Sequence, residues 1–435
     1  MAEYAKPRGT SDLTPDEARE WQEVEALLRS TFHVYHFREI RTPVFEHTEV
    51  YERGVGDTTD IVQKEMYTFT DRGGRSVTLR PEGTAGVARA FVEHKWYGGP
   101  LPLKLYYMGP IFRYEKPQAG RYRQHQQYGV EALGSEDPRL DVEIIELADR
   151  FLRAAGVRSL RLEINSVGCP VCRKEHRERL LAHLMPARDK LCTDCQGRLE
   201  KNPLRVLDCK IDRDQPIVAH SPTITDHLCA DCAAHFAQVR EGLDALCVPY
   251  VVNKVLVRGL DYYTKTAFEF MEDSIGAMST ILGGGRYDGL VRTLGGPDTP
   301  GVGFAGGMER LMLARRANQV PETGEDTVDA YVVGFGESGR MTAVRVAREL
   351  RDAGIATEVD YTKRGLKAQM KTADRLRARV AVLCGDDEAA AGTAAVRDLV
   401  EKRQSGVMFR DVAGHVAQIL ANRRERGEEN VGADA

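Results

Sequence analysis

This 435-residue chain has no long apolar run. Nothing in it approaches the roughly eighteen consecutive apolar residues of a bilayer-spanning helix, and Met1-Ala2-Glu3-Tyr4-Ala5-Lys6 lacks the apolar stretch of a signal peptide. A soluble, cytoplasmic protein with no membrane partner is the expectation. The chain also has no GxxxxGK(S/T) segment, which argues against a Walker-type phosphate loop. An excess of either charge is missing too: 61 Lys and Arg against 65 Asp and Glu leave a formal net charge of −4. With no global basic field, DNA is not an expected partner, and any contact with nucleic acid has to come from a local patch.

What is present suggests two or three domains with real cores, given the length and an apolar fraction of 42%. Thr14-Pro15-Asp16-Glu17 combines an N-cap, a proline at the first helical position and a glutamate three residues after the cap. The helix it predicts carries Trp21, Val24, Leu27, Leu28 and Phe32 on one face. Glu39–Glu46 alternates like a strand, with Pro43 marking an edge or an interface. Ser76–Leu79, Leu103–Met108 and Gln127–Leu133 read as extended and Gly83–His94 as helical. Between the last two strands, Glu115–Gln124 is a polar, arginine-rich loop. A hairpin with a long basic loop fits this pattern better than a βαβ unit, so an antiparallel sheet is expected.

From Gly168 to Val248 the composition shifts to cysteines and charges, with helical periodicity at Glu175–Leu184 and Ala233–Leu246. This reads as an inserted helical domain. Strand-like composition returns at Leu256–Tyr263, Ala267–Met271 and Ser279–Leu282. After the linker-like Pro321–Asp326, short apolar strands at Ala330–Gly334, Ala356–Asp360 and Val380–Leu383 alternate with helices at Gly339–Ala353 and Leu366–Leu376. That is βαβαβ, a small doubly wound domain. The predicted class is α+β, with a core in two parts (1–167 and 251–320), an insert (168–250), a C-terminal α/β domain (328–421) and a charged, frayed tail (422–435).

Seven of the nine cysteines fall between Cys169 and Cys232, and six of them form the CxxC pairs 169/172, 192/195 and 229/232. In a cytoplasmic chain this spacing favours metal or free thiols over disulfides. Cys169, Cys172, Cys192 and Cys195 approach the zinc-ribbon spacing. Reduced cysteines packed as small hydrophobes are the other reading and carry more weight, so no metal ligand is assigned.

The most chemically loaded stretch runs from Thr78 to Glu131. Arg113, Arg121 and Arg123 offer permanently charged forks for phosphate or carboxylate, while Glu82, Glu115, Gln127 and Glu131 offer acceptors for amines and ring N–H groups. Downstream, Gly301-Val302-Gly303-Phe304-Ala305-Gly306 matches GxGxxG but follows a Gly/Pro loop instead of a strand, so glycines admitting a close backbone approach explain it better than a dinucleotide site. Arg310 stands one turn into the helix beyond it. A second basic patch runs from Lys363 to Arg379, with Asp374 its one acid.

Arg80-Pro81-Glu82-Gly83-Thr84, Phe112-Arg113-Tyr114-Glu115 and Gly307-Met308-Glu309-Arg310 together resemble the signature motifs of class II aminoacyl-tRNA synthetases, with the Pro43 region as the dimer-forming motif. Leu256–Tyr263 and Gly284-Gly285-Arg286-Tyr287-Asp288-Gly289 are similar to the two signatures of the histidyl-tRNA synthetases. The resemblance, from Arg8 to about Leu420, implies a class II-like antiparallel sheet and an anticodon-binding C-terminal domain. It implies ATP with Mg²⁺, L-histidine and tRNA(His) as ligands, and a homodimer. By the same resemblance Arg113 and Arg258 are catalytic. Glu82, Gly83, Thr84, Gln127, Glu131, Tyr262 and Tyr263 bind histidine. Arg113, Glu115, Arg121, His125 and Arg310 bind ATP, His125 standing where an apolar aromatic is expected. Gln118, Lys363, Arg364 and Lys367 contact tRNA. The competing function is a histidine-sensing regulatory subunit of ATP phosphoribosyltransferase.

Overall fold

Thr14 starts the first helix, Pro15–Val34, through a complete capping box: its side chain accepts the Glu17 N–H, and Glu17 accepts the Thr14 N–H at 3.0 Å. The helix buries Trp21, Val24, Leu28 and Phe32, each worth about 1.5–3 kcal/mol of removed apolar surface. Phe32 meets Tyr106, Phe151 and Phe304 at ring distances of 5.6, 5.5 and 6.1 Å, which fastens the helix to the main sheet. The computed structural model describes residues 4–57, 59–201, 203–207, 209, 211–212, 214–257, 260–278, 280–321 and 327–426. The chain divides into two units, Met1–Pro321 and Glu322–Ala435.

The first unit is built on an eight-stranded sheet. Its order is Arg38–Glu39, Leu103–Phe112, Gln124–Leu133, Gly301–Gly307, Thr280–Arg286, Thr264–Glu272, Leu160–Ser166 and Val251–Val252. All pairings are antiparallel except the two edge pairs, as the hairpin reading expects. Asp137 caps the helix Pro138–Ala154, whose apolar face, including Ile144, Leu147 and Phe151, is buried. That helix is also pinned by charge. Arg286 and Asp141 are both fully buried and paired, and Arg286 donates further to the Ser135 carbonyl at 2.7 Å. A small second sheet pairs Ser76–Leu79 with Phe45–His47 and Tyr67–Thr70.

Three readings of extended backbone change. Glu39–Glu46 is broken between Arg38–Glu39 and Phe45–His47, because Pro43 removes a ladder donor. Within Leu256–Tyr263, the described residues 256–257 and 260–263 lie in loop and turn, not strand. The C-terminal sheet is mixed: Thr357–Val359, Ala330–Gly334 and Val380–Cys384 are parallel, and Thr393–Asp398 and Arg403–Met408 add two antiparallel strands. The last helix, Phe409–Glu425, extends into the expected tail; residues 427–435 lie outside the described residues. No helix among the described residues is long and apolar enough to cross a membrane.

The cysteine-rich segment is helical, with Pro170–Leu184, Thr193–Lys201 and Ala230–Ala245 as its longer helices. Cys169, Cys172, Cys192 and Cys195 do not form one group. Cys169 and Cys172 meet Cys229 and Cys232, whereas Cys192 and Cys195 meet Cys209 and Asp212. The zinc-ribbon grouping fails because the starts of Pro170–Leu184 and Ala230–Ala245 come together, sixty residues apart in sequence.

Candidate active site

Strand Gln124–Leu133 supplies one line of chemistry. Side chains two residues apart share a face, so His125, Gln127 and Glu131 all line the same cavity, of about 680 Å³. At about 3.4 Å per residue, His125 and Glu131 stand roughly 20 Å apart along the strand. On the neighbouring strand Gly303 is in register with Glu131. A Cβ there would collide with the Glu131 carboxylate and the Val130 carbonyl. The GxGxxG segment thus makes room for a buried acid, in line with the close-approach reading.

The inner end is closed. Glu131 is 1% exposed; Thr84 Oγ1 donates to one carboxylate oxygen at 2.6 Å, and the Tyr287 hydroxyl to the other. Burial pushes Glu131 up to about 8 despite these donors. Gln127 Oε1 accepts the Gly83 N–H at 3.1 Å and the Tyr107 hydroxyl at 3.4 Å. Glu82 accepts the Thr84 and Ala85 N–H groups, both at 2.7 Å, at the start of helix Thr84–Glu93, where the dipole favours a carboxylate. Tyr262 packs on Tyr263 at 4.7 Å and on Tyr287 at 5.6 Å, closing the end with aromatic rings. Gly83 does not line the cavity. It lies against Tyr107, whose ring a Cβ would strike.

The outer end is cationic. Arg113 donates to the Pro81 carbonyl at 2.7 Å. Arg310 donates to the carbonyls of Gly120 at 2.9 Å and Thr280 at 2.8 Å. Among the described residues neither Arg113 nor Arg310 forms an ion pair. Burial, then Arg121, lower the Arg310 pKa. Arg121 is held by Glu115 through two hydrogen bonds, one of 2.9 Å. Burial, with Arg113 and Arg310 beside it, holds His125 down to about 3, so its imidazole is neutral and available for stacking. Three guanidinium groups around one opening form a site for a polyanion.

Arg258 lies outside the described residues. Gln118 is exposed in the basic loop, paired through its backbone with Arg121. Lys363, Arg364 and Lys367 belong to the second unit, at the entry to helix Leu366–Arg375. Arg364 is engaged with Asp360 at 2.9 Å and with Thr372 at 3.1 Å. Sequence reading missed Tyr107 and Tyr287, although Tyr287 lies inside a quoted motif. It also missed Glu65 and Glu309, each pushed up to about 7 chiefly by burial. Glu309 accepts the Gln126 N–H at 2.9 Å and sits next to Arg310, the one residue taken from its motif. Glu65 has no local signal.

A family model described as histidyl-tRNA synthetase matches residues 9–172 and 198–311. The chain belongs to the histidyl-tRNA synthetase family. A second model, an anticodon binding domain, matches residues 329–419. The histidine–tRNA ligase of Lysinibacillus sphaericus (strain C3-41) is 51% identical over 418 residues, 95% of this chain and 99% of that one. That of Moorella thermoacetica (strain ATCC 39073 / JCM 9320) is 54% identical over 395 residues, covering 91% and 93%. The apo structure of the S. aureus histidyl-tRNA synthetase superposes with a TM-score of 0.80 at 39% identity, covering 95% of this chain and 99% of that chain. As in the family, a C-terminal α/β unit follows the antiparallel catalytic sheet.

Proposed function

We propose that this chain ligates L-histidine to tRNA(His) in two steps. The histidine carboxylate attacks the α-phosphorus of ATP, the bond to the β-phosphate bridge breaks, and diphosphate leaves. A ribose hydroxyl at the tRNA 3′ end then attacks the acyl carbon of the adenylate, and AMP leaves. The observation that carries this reading is one cavity with a buried carboxylate at one end and three arginines at the other. The nucleophile is already an anion, so catalysis rests on positioning and charge.

The orientation follows from the two ends. Glu131, with Tyr263 nearby, reads the imidazole, and Glu82, Thr84 and Gln127 surround the α-ammonium group. Glu82 and Gln127 already hold backbone N–H groups, so they act partly by fixing the Gly83–Thr84 turn. Arg113 bridges the carboxylate and the α-phosphate, with Arg258 assigned opposite it. Arg121 and Arg310 hold the outer phosphates, Glu115 sets Arg121, and His125 stacks on adenine. Mg²⁺ travels with the ATP phosphates and offsets their charge.

A homodimer is supported by exposed apolar residues around Pro43. Val44, Phe45 and Phe69 are 38, 58 and 49% exposed, which invites burial against a second copy. For tRNA contact, Lys363 and Lys367 are exposed beside a helix start in the anticodon-binding unit, with Gln118 assigned to the acceptor end.

The test is pyrophosphate exchange into ATP, expected with histidine alone among the twenty amino acids. Tight histidine binding without exchange would replace this reading with the regulatory sensor, which has no use for the arginine end or the anticodon-binding unit. Replacing Lys363 and Lys367 with alanine should lower tRNA charging and leave exchange intact. Arg364 is a poorer probe, because its loss strips a partner from the nearly buried Asp360.

A further inference from the structure

Seven cysteines take no part in this chemistry, yet they gather into two groups. The Sγ atoms of Cys169, Cys172, Cys229 and Cys232 all lie within 4.8 Å of one another, as do the ligand atoms of Cys192, Cys195, Cys209 and Asp212. Cys169 is 3.7 Å from Cys172 and 4.0 Å from Cys229, and Cys192 is 3.8 Å from Cys209. Four sulfurs around Zn²⁺ at about 2.3 Å stand about 3.8 Å apart, the edge of that tetrahedron. A disulfide needs about 2.05 Å, and all nine cysteines are free thiols.

Local structure builds the first group. Cys169 and Cys229 are the N-caps of helices Pro170–Leu184 and Ala230–Ala245, with no side-chain cap bond at either, and Cys172 and Cys232 follow one turn later. The positive ends of two helix dipoles therefore face the sulfurs, and the Cys229 N–H points at Cys172 Sγ, 3.1 Å away. Thiols packing as plain hydrophobes have no need of such donors.

In the second group the acid is the telling member. Asp212 is 1% exposed. It accepts the Cys192 N–H at 3.0 Å and a Gln215 amide N–H at 2.7 Å, and among the described residues it has no cationic partner. A carboxylate oxygen converging with three thiol sulfurs completes a four-ligand set of the kind Zn²⁺ takes.

We infer that this chain binds two structural zinc ions, one on Cys169, Cys172, Cys229 and Cys232 and one on Cys192, Cys195, Cys209 and Asp212. Loading releases four thiol protons at the first site and three at the second, and the metal stays Zn²⁺ throughout. Both sites support the cavity described above. Arg173, next to Cys172, donates to the Asp261 carbonyl at 3.3 Å and so steadies the turn carrying Tyr262 and Tyr263. Cys192, Cys209 and Ile211 form part of the cavity wall itself.

Elemental analysis of the full-length protein, purified without added metal, should find two equivalents of zinc. Cys232→Ser should retain one, Asp212→Ala together with Cys195→Ser should retain one, and the three changes combined should retain none. Should a variant fail to fold, the wild-type protein still decides. Exchange with Co²⁺ should give tetrahedral d–d bands and thiolate charge-transfer absorption equal to two sites, with seven thiols protected from native titration. Less than about half an equivalent of metal, or native-state reactivity of the seven clustered thiols in addition to the exposed Cys247, would overturn both sites. A single equivalent insensitive to Asp212 and Cys195 would overturn the second, and iron in place of zinc would overturn the choice of metal.

Discussion

The two ends of the cavity treat polar groups in opposite ways. At the inner end Glu131 is buried, both its oxygens accept hydrogen bonds, and its proton is retained up to about 8. At the outer end Arg113 and Arg310 donate to carbonyls and, among the described residues, form no ion pair. Under the proposed function the inner end discriminates, since a substrate lacking a matching N–H leaves a buried acceptor unpaired. The outer end attracts, since its charges await an anion that any nucleoside triphosphate supplies. The proposed function thus divides selectivity and charge stabilisation between separate residues, and substitutions should separate them.

The largest effect is expected at Glu131. Glu131→Ala should lower kcat/KM for histidine in the exchange reaction by about 10³-fold or more, and Glu131→Gln by roughly 10²-fold. The KM for ATP should stay within about twofold. An equal rise in both KM values would break the division between the ends. Next comes Arg113→Ala, which should cost about 10²–10³-fold in kcat while calorimetry finds histidine affinity unchanged within about twofold. Arg310→Ala should act in the same direction but chiefly on the KM for ATP.

A smaller effect is the pH dependence of stability. The folded pKa of Glu131 lies above the usual carboxyl value, so the folded state holds a proton that the unfolded state releases. Its contribution is fully present below about pH 4.5 and is lost as pH rises to about 8. Glu65 and Glu309, at about 7, act in the same direction over a narrower window. The melting temperature of the ligand-free protein should therefore carry a falling component from pH 5 to 8. Glu131→Gln should remove the part of it above pH 7; an unchanged slope there would mean that Glu131 is ionised in the empty cavity.

Much of the fold was legible because local chemistry wrote it. The Thr14–Glu17 capping box and the hairpin around the basic loop follow from a few neighbouring residues. The strands Thr393–Asp398 and Arg403–Met408 were missed because their Ala, Ser, Gly and charged residues leave one valine each as a strand signal, and only one face of the first is buried. Within the site, residue types were legible but their partners were not. Glu131 is satisfied by residues 47 and 156 positions away, and no periodicity carries that information. The cysteines show the same limit. Spacing joined the two nearest pairs, whereas the meeting of two helix starts joined Cys169 and Cys172 to Cys229 and Cys232.

The smallest effect is expected at His125, and it tests what the outer end requires of an aromatic residue. An imidazole in place of an apolar ring would matter if it titrated near neutrality, because its charge would add to three arginines and tighten phosphate binding in a pH-dependent way. Burial and the flanking Arg113 and Arg310 hold it down to about 3, so across the working range it is a neutral, flat ring. His125→Phe should then change the KM for ATP by less than about threefold, with the same pH profile between 6 and 8. A tenfold rise would show that a ring nitrogen makes a hydrogen bond that stacking alone does not replace, and the outer end would then read its ligand by more than charge.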